Sequence, residues 1–218
     1  MEIISINVGL PRGVSWRGKT VSTGIFKSPV EGPVMLRTLN LDGDGQADLS
    51  VHGGPNKAAY AYPAEHYVFW HGELQDIELT WGHFGENFTI QGLLEENMQI
   101  GDTFRIGSAL VRVAEPRMPC YKLGIRFGRA DMVKRFLAAR RTGFYFAVVE
   151  EGTVRVGDTF VEVEHSTHGI SVADITRLYA FDKDDWATMQ RVVEVEALDE
   201  SWRGYFQTRL EKRDQGLP

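Results

Sequence analysis

The sequence lacks the features that mark several common classes of protein. It has one cysteine in 218 residues, so it cannot form an internal disulfide or supply the four thiolates of a typical iron–sulfur cluster. No apolar stretch approaches the ~20 residues of a membrane-spanning helix. The first residues also lack the basic start and long apolar core of a signal peptide. These absences predict a cytoplasmic protein with no membrane partner.

Basic runs and nucleotide-binding motifs are also missing. The formal net charge is −6, and no run of lysine and arginine is long enough to follow a nucleic-acid backbone. No Gly-x-Gly-x-x-Gly follows a predicted strand, which argues against a Rossmann nucleotide fold. We therefore expect no nucleic-acid polymer as partner. In any redox reaction, the electrons are expected to come from a separate protein.

The first three quarters of the chain carry a strand-rich pattern. From residue 1 to about 165, short apolar segments alternate with Gly, Pro, Asp and Asn, which is typical of strands joined by turns. Segments 101–113 and 157–164 both begin Gly-Asp-Thr-Phe and continue with alternating apolar residues, as in matching strands of a barrel. Only two short helices are predicted here, one beginning near Pro63 and one spanning about 131–140.

The pattern becomes helical near the carboxyl terminus. Ser171 and Asp174 have the spacing of a capping box, which opens a helix. Two further helix starts follow at 182–185 and 199–201, each before apolar residues at helical spacing. We therefore predict a β-rich α+β protein, with a barrel domain over residues 1–165 and a three-helix module over residues 166–218.

The segment 115–122, Glu-Pro-Arg-Met-Pro-Cys-Tyr-Lys, contains the strongest candidate for chemistry. Two prolines restrict the loop that presents Cys120. Arg117 and Lys122 place positive charge beside the sulfur, which favours the thiolate that soft metals bind. The alternative is that Cys120 is a small buried apolar residue, the commonest role of an unbridged cysteine.

A second candidate is the segment 52–57, His-Gly-Gly-Pro-Asn-Lys. Gly53 and Gly54 allow a backbone to approach a ligand closely and to direct N–H groups at an anion. Lys57 would add a positive charge for a phosphate. The spacing of a Walker loop is missing, and a tight turn between strands is the alternative interpretation.

Two further segments offer polar groups. Glu86 and Asn87 lie between two phenylalanines and have the hydrogen-bonding capacity to recognise the edge of a heterocycle, although a turn before a strand explains them equally well. Arg141 and Thr142 follow a predicted helix, where a cation also interacts favourably with the helix dipole. An anion-binding role for this second pair stays open.

Other polar segments carry weaker signals. Lys19 and Lys27 flank a predicted strand, and a solvated surface is their default interpretation. The segment 42–48 begins like a calcium loop, but it has Ala47 in place of the required glycine and Gly53 in place of the bidentate glutamate. The six histidines form no His-Glu-x-x-His motif, so a zinc hydrolase is poorly supported.

Taken together, these segments resemble the MOSC family, named for the C-terminal domain of molybdenum cofactor sulfurases. Each block is short, but their order and co-occurrence are specific. The three predicted helices resemble the extension of the YiiM-type branch, so the resemblance covers nearly the whole chain. The blocks are residues 51–58, 84–87, 100–102, 116–123, 142–145 and 152–158.

The resemblance implies a MOSC-type twisted β-barrel that binds molybdenum cofactor (Mo-molybdopterin), with Cys120 as metal ligand and catalytic centre. Related proteins, including the mitochondrial amidoxime reducing component, are associated with reducing N-hydroxylated compounds, so a hydroxylaminopurine such as 6-N-hydroxylaminopurine is the expected substrate. His52 or Glu86 would supply a proton to the leaving oxygen. The expected cofactor-binding residues are Lys19, Lys27, His52, Gly53, Gly54, Asn56, Lys57, Glu86, Asn87, Arg117, Arg141 and Thr142.

The expected partner is an external reductase, a flavoprotein, because the cofactor must be re-reduced after each turnover. The helical module would dock this reductase or form a homodimer. One rival is a non-catalytic cofactor-binding or sulfur-carrier protein, which would retain Cys120 without N–O reduction. Another is a cysteine hydrolase, with Cys120 as nucleophile and His52 or His83 as base.

Overall fold

The computed structural model describes residues 1–48 and 53–216. These residues form a strand-rich region followed by helices, with a short 3-10 helix at Pro55–Lys57. The strands are β1 (Glu2–Val8), β2 (Arg12–Trp16), β3 (Lys19–Thr23), β4 (Ser28–Pro29), β5 (Val34–Leu36), β6 (Ala59–Pro63), β7 (Phe88–Gln91), β8 (Thr103–Ile106), β9 (Ala109–Pro116), β10 (Phe144–Glu150), β11 (Gly152–Val154) and β12 (Val161–Glu164). The α-helices are α1 (Ala64–Glu73), α2 (Tyr121–Phe127), α3 (Met132–Ala139), α4 (Val172–Ala180), α5 (Trp186–Val193) and α6 (Glu200–Asp214).

Eight of the strands form one curled sheet. Its order is β12-β8-β9-β10-β6-β7-β1-β4, and the pairs are antiparallel except β6–β7, which is parallel. The backbone of Ile3 in β1 exchanges hydrogen bonds with the turn before β12, donating to Asp158 O at 3.0 Å and accepting from Gly157 N at 2.9 Å. The sheet therefore curls into a half-barrel whose two ends approach each other. The predicted β-rich α+β fold is confirmed.

Several sequence predictions of individual elements are also confirmed. The two Gly-Asp-Thr-Phe segments lead into β8 and β12, which pair with each other at one end of the sheet. Helix α1 begins directly after Pro63, and α3 lies within the predicted 131–140 segment. The prediction of only two helices before residue 165 is wrong, because residues 121–127 form α2. This helix has seven residues and an internal glycine, so it is too short to show helical periodicity in the sequence.

Alternation along β10 separates the two faces of the sheet. Phe144 and Phe146 are fully buried in the larger apolar cluster, which fills the inside of the half-barrel. Tyr145 points to the opposite face, where it packs beside a smaller cluster rich in aromatic residues. That second cluster is formed by residues from β6, α1, α2 and α3, with Phe84 at its centre. The candidate site described below lies on this second face.

The carboxyl-terminal residues form the three predicted helices. The capping box is present, since Ser171 Oγ accepts from Asp174 N and the Asp174 carboxylate accepts from Ser171 N at 3.1 Å. Apolar residues of α4, α5 and α6, including Ile175, Val192 and Phe206, belong to the same buried cluster as the half-barrel. The proposed boundary near residue 165 falls between β12 and α4. Within the described ranges, no helix is long and apolar enough to cross a membrane.

Candidate functional site

An open cavity lies where β6 and β10 meet the loops that surround α2. Among the described residues, four of its lining side chains are lysine or arginine and one is a carboxylate. The cavity is therefore electropositive in a chain whose formal net charge is −6, which suits an anionic ligand. The lining residues are Thr23, Gly24, Ile25, Lys27, Asp44, Gly45, Gln46, Ala47, Lys57, Tyr60, Phe84, Gly85, Asn87, Arg117, Met118, Cys120, Lys122 and Tyr145.

Cys120 lies in the cavity wall, where the chain leaves β9 and enters α2. Pro119 precedes it, and Cys120 itself is the N-cap of α2 with extended φ and ψ of −118° and 174°. Its carbonyl accepts the first-turn hydrogen bond from Leu123 N at 2.9 Å. The sulfur is thus held on a short, ordered connection between a buried strand and a helix. It is partly exposed to the cavity, so a soft metal would have access to it.

Three neighbouring strands place a row of polar side chains on the cavity face of the sheet. Tyr145 lies directly opposite Tyr60 on β6 and opposite Glu115 on β9. Directly opposed residues on adjacent strands project from the same face. The two tyrosine rings lie 5.3 Å apart, centroid to centroid. Burial raises the pKa of Tyr145 to about 12, with Arg117 opposing the shift and Glu115 and Cys120 adding to it.

One side of the cavity contains the ion pair of Lys27 and Asp44. The two side chains are 8% and 2% exposed. Asp44 also accepts from Gly9 N at 2.9 Å and from Asn87 Nδ2 at 2.9 Å, so both of its oxygens are hydrogen-bonded. Burial lowers the pKa of Lys27, while Asp44 and Glu86 oppose that shift. This pair is part of the wall and is held from several sides.

The other side contains the pair of Lys57 and Glu115. Lys57 Nζ lies 3.4 Å from Glu115 Oε1, and the side chains are 28% and 4% exposed. Lys57 closes the short 3-10 helix, which begins after Gly54 at a φ of 102°. Beside it, Asn56 Nδ2 donates to Asp199 Oδ2 at 2.8 Å. The wall therefore connects the cavity to the start of α6.

Two more cations lie close to Cys120 in the chain. Arg117 is 6% exposed, and its guanidinium lies over Phe136 and Tyr60 at 5.0 and 5.3 Å from the ring centroids. Its Nη1 has no hydrogen-bond partner among the described residues. Lys122 is 8% exposed and lines the same cavity. Both are placed to interact with an anion held near the sulfur.

The predicted Glu86–Asn87 pair divides between two environments. Asn87 lines the cavity, although its amide is engaged by Tyr60 N, Asn7 O and Asp44. Glu86 is fully buried, does not line the cavity, and accepts from the Tyr67 hydroxyl, Gly82 N, Phe84 N and Thr89 Oγ1. Burial raises its pKa, while those hydrogen bonds oppose the shift. Glu86 orders the loop behind the cavity.

The remaining candidates lie away from the cavity. Lys19 is exposed on the β2–β3 hairpin. Arg141 donates to His66 Nδ1 at 3.1 Å and lies over Phe69, and Thr142 is fully buried, with its carbonyl accepting from the Tyr60 hydroxyl. Gly53, Gly54 and Asn56 are near Lys57 but are not among the lining residues. His52 lies outside the described residues.

Sequence reasoning missed Asp44 and gave Glu115 no role. Asp44 was considered only as part of a failed calcium loop, and nothing local reveals its contact with Lys27, seventeen residues away. Glu115 is part of the segment that includes Cys120, yet its position beside Lys57 depends on the pairing of distant strands. The sequence feature that could have identified Asp44 and Glu115 is a carboxylate in a glycine-rich or apolar segment.

The strand-rich region and the carboxyl-terminal helices each match a model of a known protein family. The chain belongs to the MOSC-domain family, because the model named MOSC domain matches residues 48–161. A second model, described as YiiM-like, 3-alpha helix domain, matches residues 170–213 and covers the carboxyl-terminal helices. The chain therefore has the two-part organisation of YiiM-like proteins.

Individual relatives agree with this assignment. The chain is 44% identical over 217 residues to the uncharacterized protein YflK of Bacillus subtilis (strain 168), covering 100% of this chain and 96% of that protein. It matches the crystal structure of YiiM from Geobacillus stearothermophilus with a TM-score of 0.79 and 36% identity, covering 96% of this chain and 98% of that one. A protein of Gibberella moniliformis (strain M3125 / FGSC 7600) named "Reductase" is 33% identical over 168 residues, which is 74% of this chain and 29% of that protein.

Proposed function

We propose that the protein is a molybdenum-cofactor-dependent reductase of N-hydroxylated compounds, with 6-N-hydroxylaminopurine as a representative substrate and a separate flavoprotein as electron donor. The observation that carries the proposal is the position of Cys120 in the wall of a cavity lined by four cationic side chains. Membership of the MOSC family and similarity to a protein named reductase support it.

The residues of the cavity fit an anionic cofactor that carries a soft metal. A thiolate is a preferred ligand of such metals, and Cys120 is open to the cavity. Lysine and arginine are the usual partners of phosphate. Arg117 Nη1 is buried with no hydrogen-bond partner among the described residues, and leaving such a donor unsatisfied costs about 1–3 kcal/mol. An anion in the cavity would satisfy it, so the donor set and the electrostatics agree.

Each wall would have a defined task when the cofactor is bound. Cys120 would ligate the metal, and Arg117 and Lys122 would hold the phosphate. The rings of Tyr60 and Tyr145, which are tilted by 41° to each other, would form an aromatic boundary for the pterin. Glu86, Arg141 and Thr142 would act indirectly by ordering the loops that carry these groups.

The reaction requires electrons, protons and exclusion of water. When bound, the cofactor would supply the two-electron chemistry that breaks the substrate N–O bond, and the protein orients and tunes it. One N-hydroxylated molecule, two electrons and two protons give one N–H compound and one water. The chain's own contribution is to hold the substrate beside Cys120 and to deliver protons from groups in the wall.

The direct test is anaerobic reduction of 6-N-hydroxylaminopurine by protein purified from a host that makes molybdenum cofactor. Reduced methyl viologen serves as electron donor, and formation of adenine is followed by chromatography. We expect turnover by wild type, loss of at least ~100-fold in Cys120→Ser because a metal ligand is removed, and unchanged turnover in Lys134→Ala, an exposed residue of α3.

The two rival functions make different predictions. Stoichiometric cofactor without reduction of any N-hydroxylated compound would favour a cofactor carrier and contradict our proposal. A cysteine hydrolase with His83 as base finds little support in the structure. His83 is 8% exposed and is not among the described lining residues, and burial followed by the charge of Arg126 lowers its pKa to about 4.

A further inference from the structure

Glu115 lies on the cavity face of the sheet but behind the first layer of lining residues. It is directly opposite Tyr145, which lines the cavity, and the whole residue is 3% exposed. A carboxylate in such a position has lost most of its hydration, which disfavours its charged form. Only hydrogen bonds or a cation in contact with it can compensate for that loss.

The compensation that Glu115 receives is partial. Lys57 Nζ is 3.4 Å from Oε1, whereas Oε2 is buried and has no hydrogen-bond partner among the described residues. Lys57 in turn lines the cavity. The Glu115 carboxyl therefore contacts the cavity through the Lys57 ammonium group. Its second oxygen, Oε2, can carry a proton.

The three-helix module faces the same carboxyl. Asp199, the N-cap of α6, contributes a second negative charge, and Trp202 in the first turn of α6 contributes a donor. Burial raises the pKa of Glu115 to about 7, opposed by Lys57 and Trp202 and reinforced by Asp199. Among the described residues, the charged groups that shift the pKa of Glu115 are thus Lys57 and Asp199. Tyr145, whose hydroxyl is neutral, lies opposite Glu115 on the neighbouring strand β10.

We propose that Glu115 is the proton-holding carboxyl of this site, that it exchanges protons with the cavity through Lys57, and that Asp199 of the three-helix module controls its charge. The inference rests on the proposed function and adds a proton source to it. Glu115 is a positioning residue, since it acts through Lys57. The N-terminus of α6 then influences the chemistry of the site, in addition to packing against the half-barrel.

The proton steps balance as follows. Lys57 gives one proton to the departing oxygen of the substrate, and Glu115 gives its own proton to Lys57. Glu115 is left as a carboxylate beside the restored Lys57 cation and regains a proton from solvent through the cavity before the next turnover. The second proton of the reaction comes from water, and both electrons come from the flavoprotein donor.

The proposal also predicts how the cavity responds to pH without any cofactor. Below pH 7, Glu115 is neutral and does not compete with an anion in the cavity for the Lys57 cation. Above pH 7, Glu115 is charged and competes for that cation. Sulfate is a suitable probe because its charge is constant across this range. It should bind more weakly at pH 8 than at pH 6, by roughly threefold or more.

The test uses cofactor-free full-length protein with ¹³C-labelled glutamate carboxyl groups, titrated by NMR. The Glu115 signal is assigned by its loss in Glu115→Gln, and Glu164→Gln, an exposed change on β12, serves as control. We expect wild-type Glu115 to titrate near pH 7 and to titrate lower in Asp199→Asn. A titration near the ordinary value for glutamate, or no response to Asp199→Asn, would overturn the proposal.

Sulfate titrations of the same proteins provide the second readout. Glu115→Gln should bind sulfate equally at pH 6 and pH 8, whereas wild type and Glu164→Gln should lose affinity at pH 8. An unchanged pH response in Glu115→Gln would also overturn the proposal. Neither readout depends on catalysis. Failure to reduce any N-hydroxylated compound would therefore refute the proposed function alone, and an ordinary Glu115 titration would refute this inference alone.

Discussion

Two lysines line the same cavity, and each is paired with a carboxylate, but the two pairs are built differently. Lys27 and Asp44 are both buried, and Asp44 also accepts from Gly9 N and the Asn87 amide. Lys57 is 28% exposed, and one oxygen of its partner Glu115 has no hydrogen-bond partner among the described residues. Within that part of the chain, both oxygens of Asp44 are therefore hydrogen-bonded, whereas one oxygen of Glu115 is not.

This difference between the two ion pairs indicates a structural role for one and a chemical role for the other. A buried ion pair whose carboxylate is hydrogen-bonded through both oxygens is costly to disturb, so it fixes geometry. A carboxyl with an unsatisfied oxygen and a second acid nearby gains and loses a proton at little cost near neutral pH. We therefore assign Lys27–Asp44 to holding the wall and Lys57–Glu115 to proton transfer.

Removing the carboxylate of the satisfied pair should have the largest effect on stability. Asp44→Ala leaves the Lys27 cation buried without its carboxylate partner and removes one of the two acceptors of the Asn87 amide. We expect a loss of about 3–5 kcal/mol in the free energy of unfolding, measured by urea denaturation. Asp184→Ala, an exposed change before α5, is the control. A loss below about 1 kcal/mol would mean that the pair does not hold the wall.

Glu115→Gln should change the pH dependence of stability. The folded-state pKa of Glu115 is about 7, above the ordinary glutamate value of 4.5, so the folded protein binds more protons than the unfolded chain between these values. Wild type therefore loses stability as the pH rises through this window, by a total on the order of 3 kcal/mol. The variant lacks this loss, so its stability relative to wild type should increase by that amount between pH 4 and pH 8 in urea titrations. Parallel curves for the two proteins would contradict the account.

Lys57→Met should separate binding from stability. The side chain is partly exposed, so we expect a loss of about 1 kcal/mol or less in the free energy of unfolding. Sulfate affinity, measured by calorimetry at pH 6, should fall roughly tenfold because a cavity cation is removed. A stability loss as large as that of Asp44→Ala would remove the distinction between the two pairs.

Lys19→Ala should have the smallest effect. Lys19 is exposed on the β2–β3 hairpin and is not among the residues lining the cavity. The free energy of unfolding should stay within about 0.5 kcal/mol of wild type, and sulfate affinity should be unchanged. Weaker sulfate binding in this variant would extend the anion site beyond the described cavity.

Much of the fold could be predicted from local sequence signals. The capping box at Ser171 and Asp174, the aspartates before α5 and α6, and the alternating segments of β8 and β9 each report their own conformation. Helix α2 was missed because seven residues with a glycine give no clear periodicity. Local patterns therefore identify long or capped elements better than short ones.

The site could be predicted only where its residues are close in sequence. Cys120, Arg117 and Lys122 come from one segment, and the cavity brings them together. Asp44 and Glu115 gain their partners through contacts between parts of the chain that are separated in sequence, and no spacing rule reports such contacts. Assignment of a proton donor depended on burial and on unsatisfied oxygens, which are properties of the folded protein.

The central claim is that Cys120 ligates molybdenum. The most direct measurement is the ratio of molybdenum to protein by elemental analysis, with molybdopterin measured in the same samples. Wild type, Cys120→Ser and the Lys134→Ala control would be purified anaerobically from a host that makes the cofactor. We predict near-stoichiometric metal in wild type and in the control, and sharply reduced metal in Cys120→Ser. Equal metal in all three proteins would contradict the account.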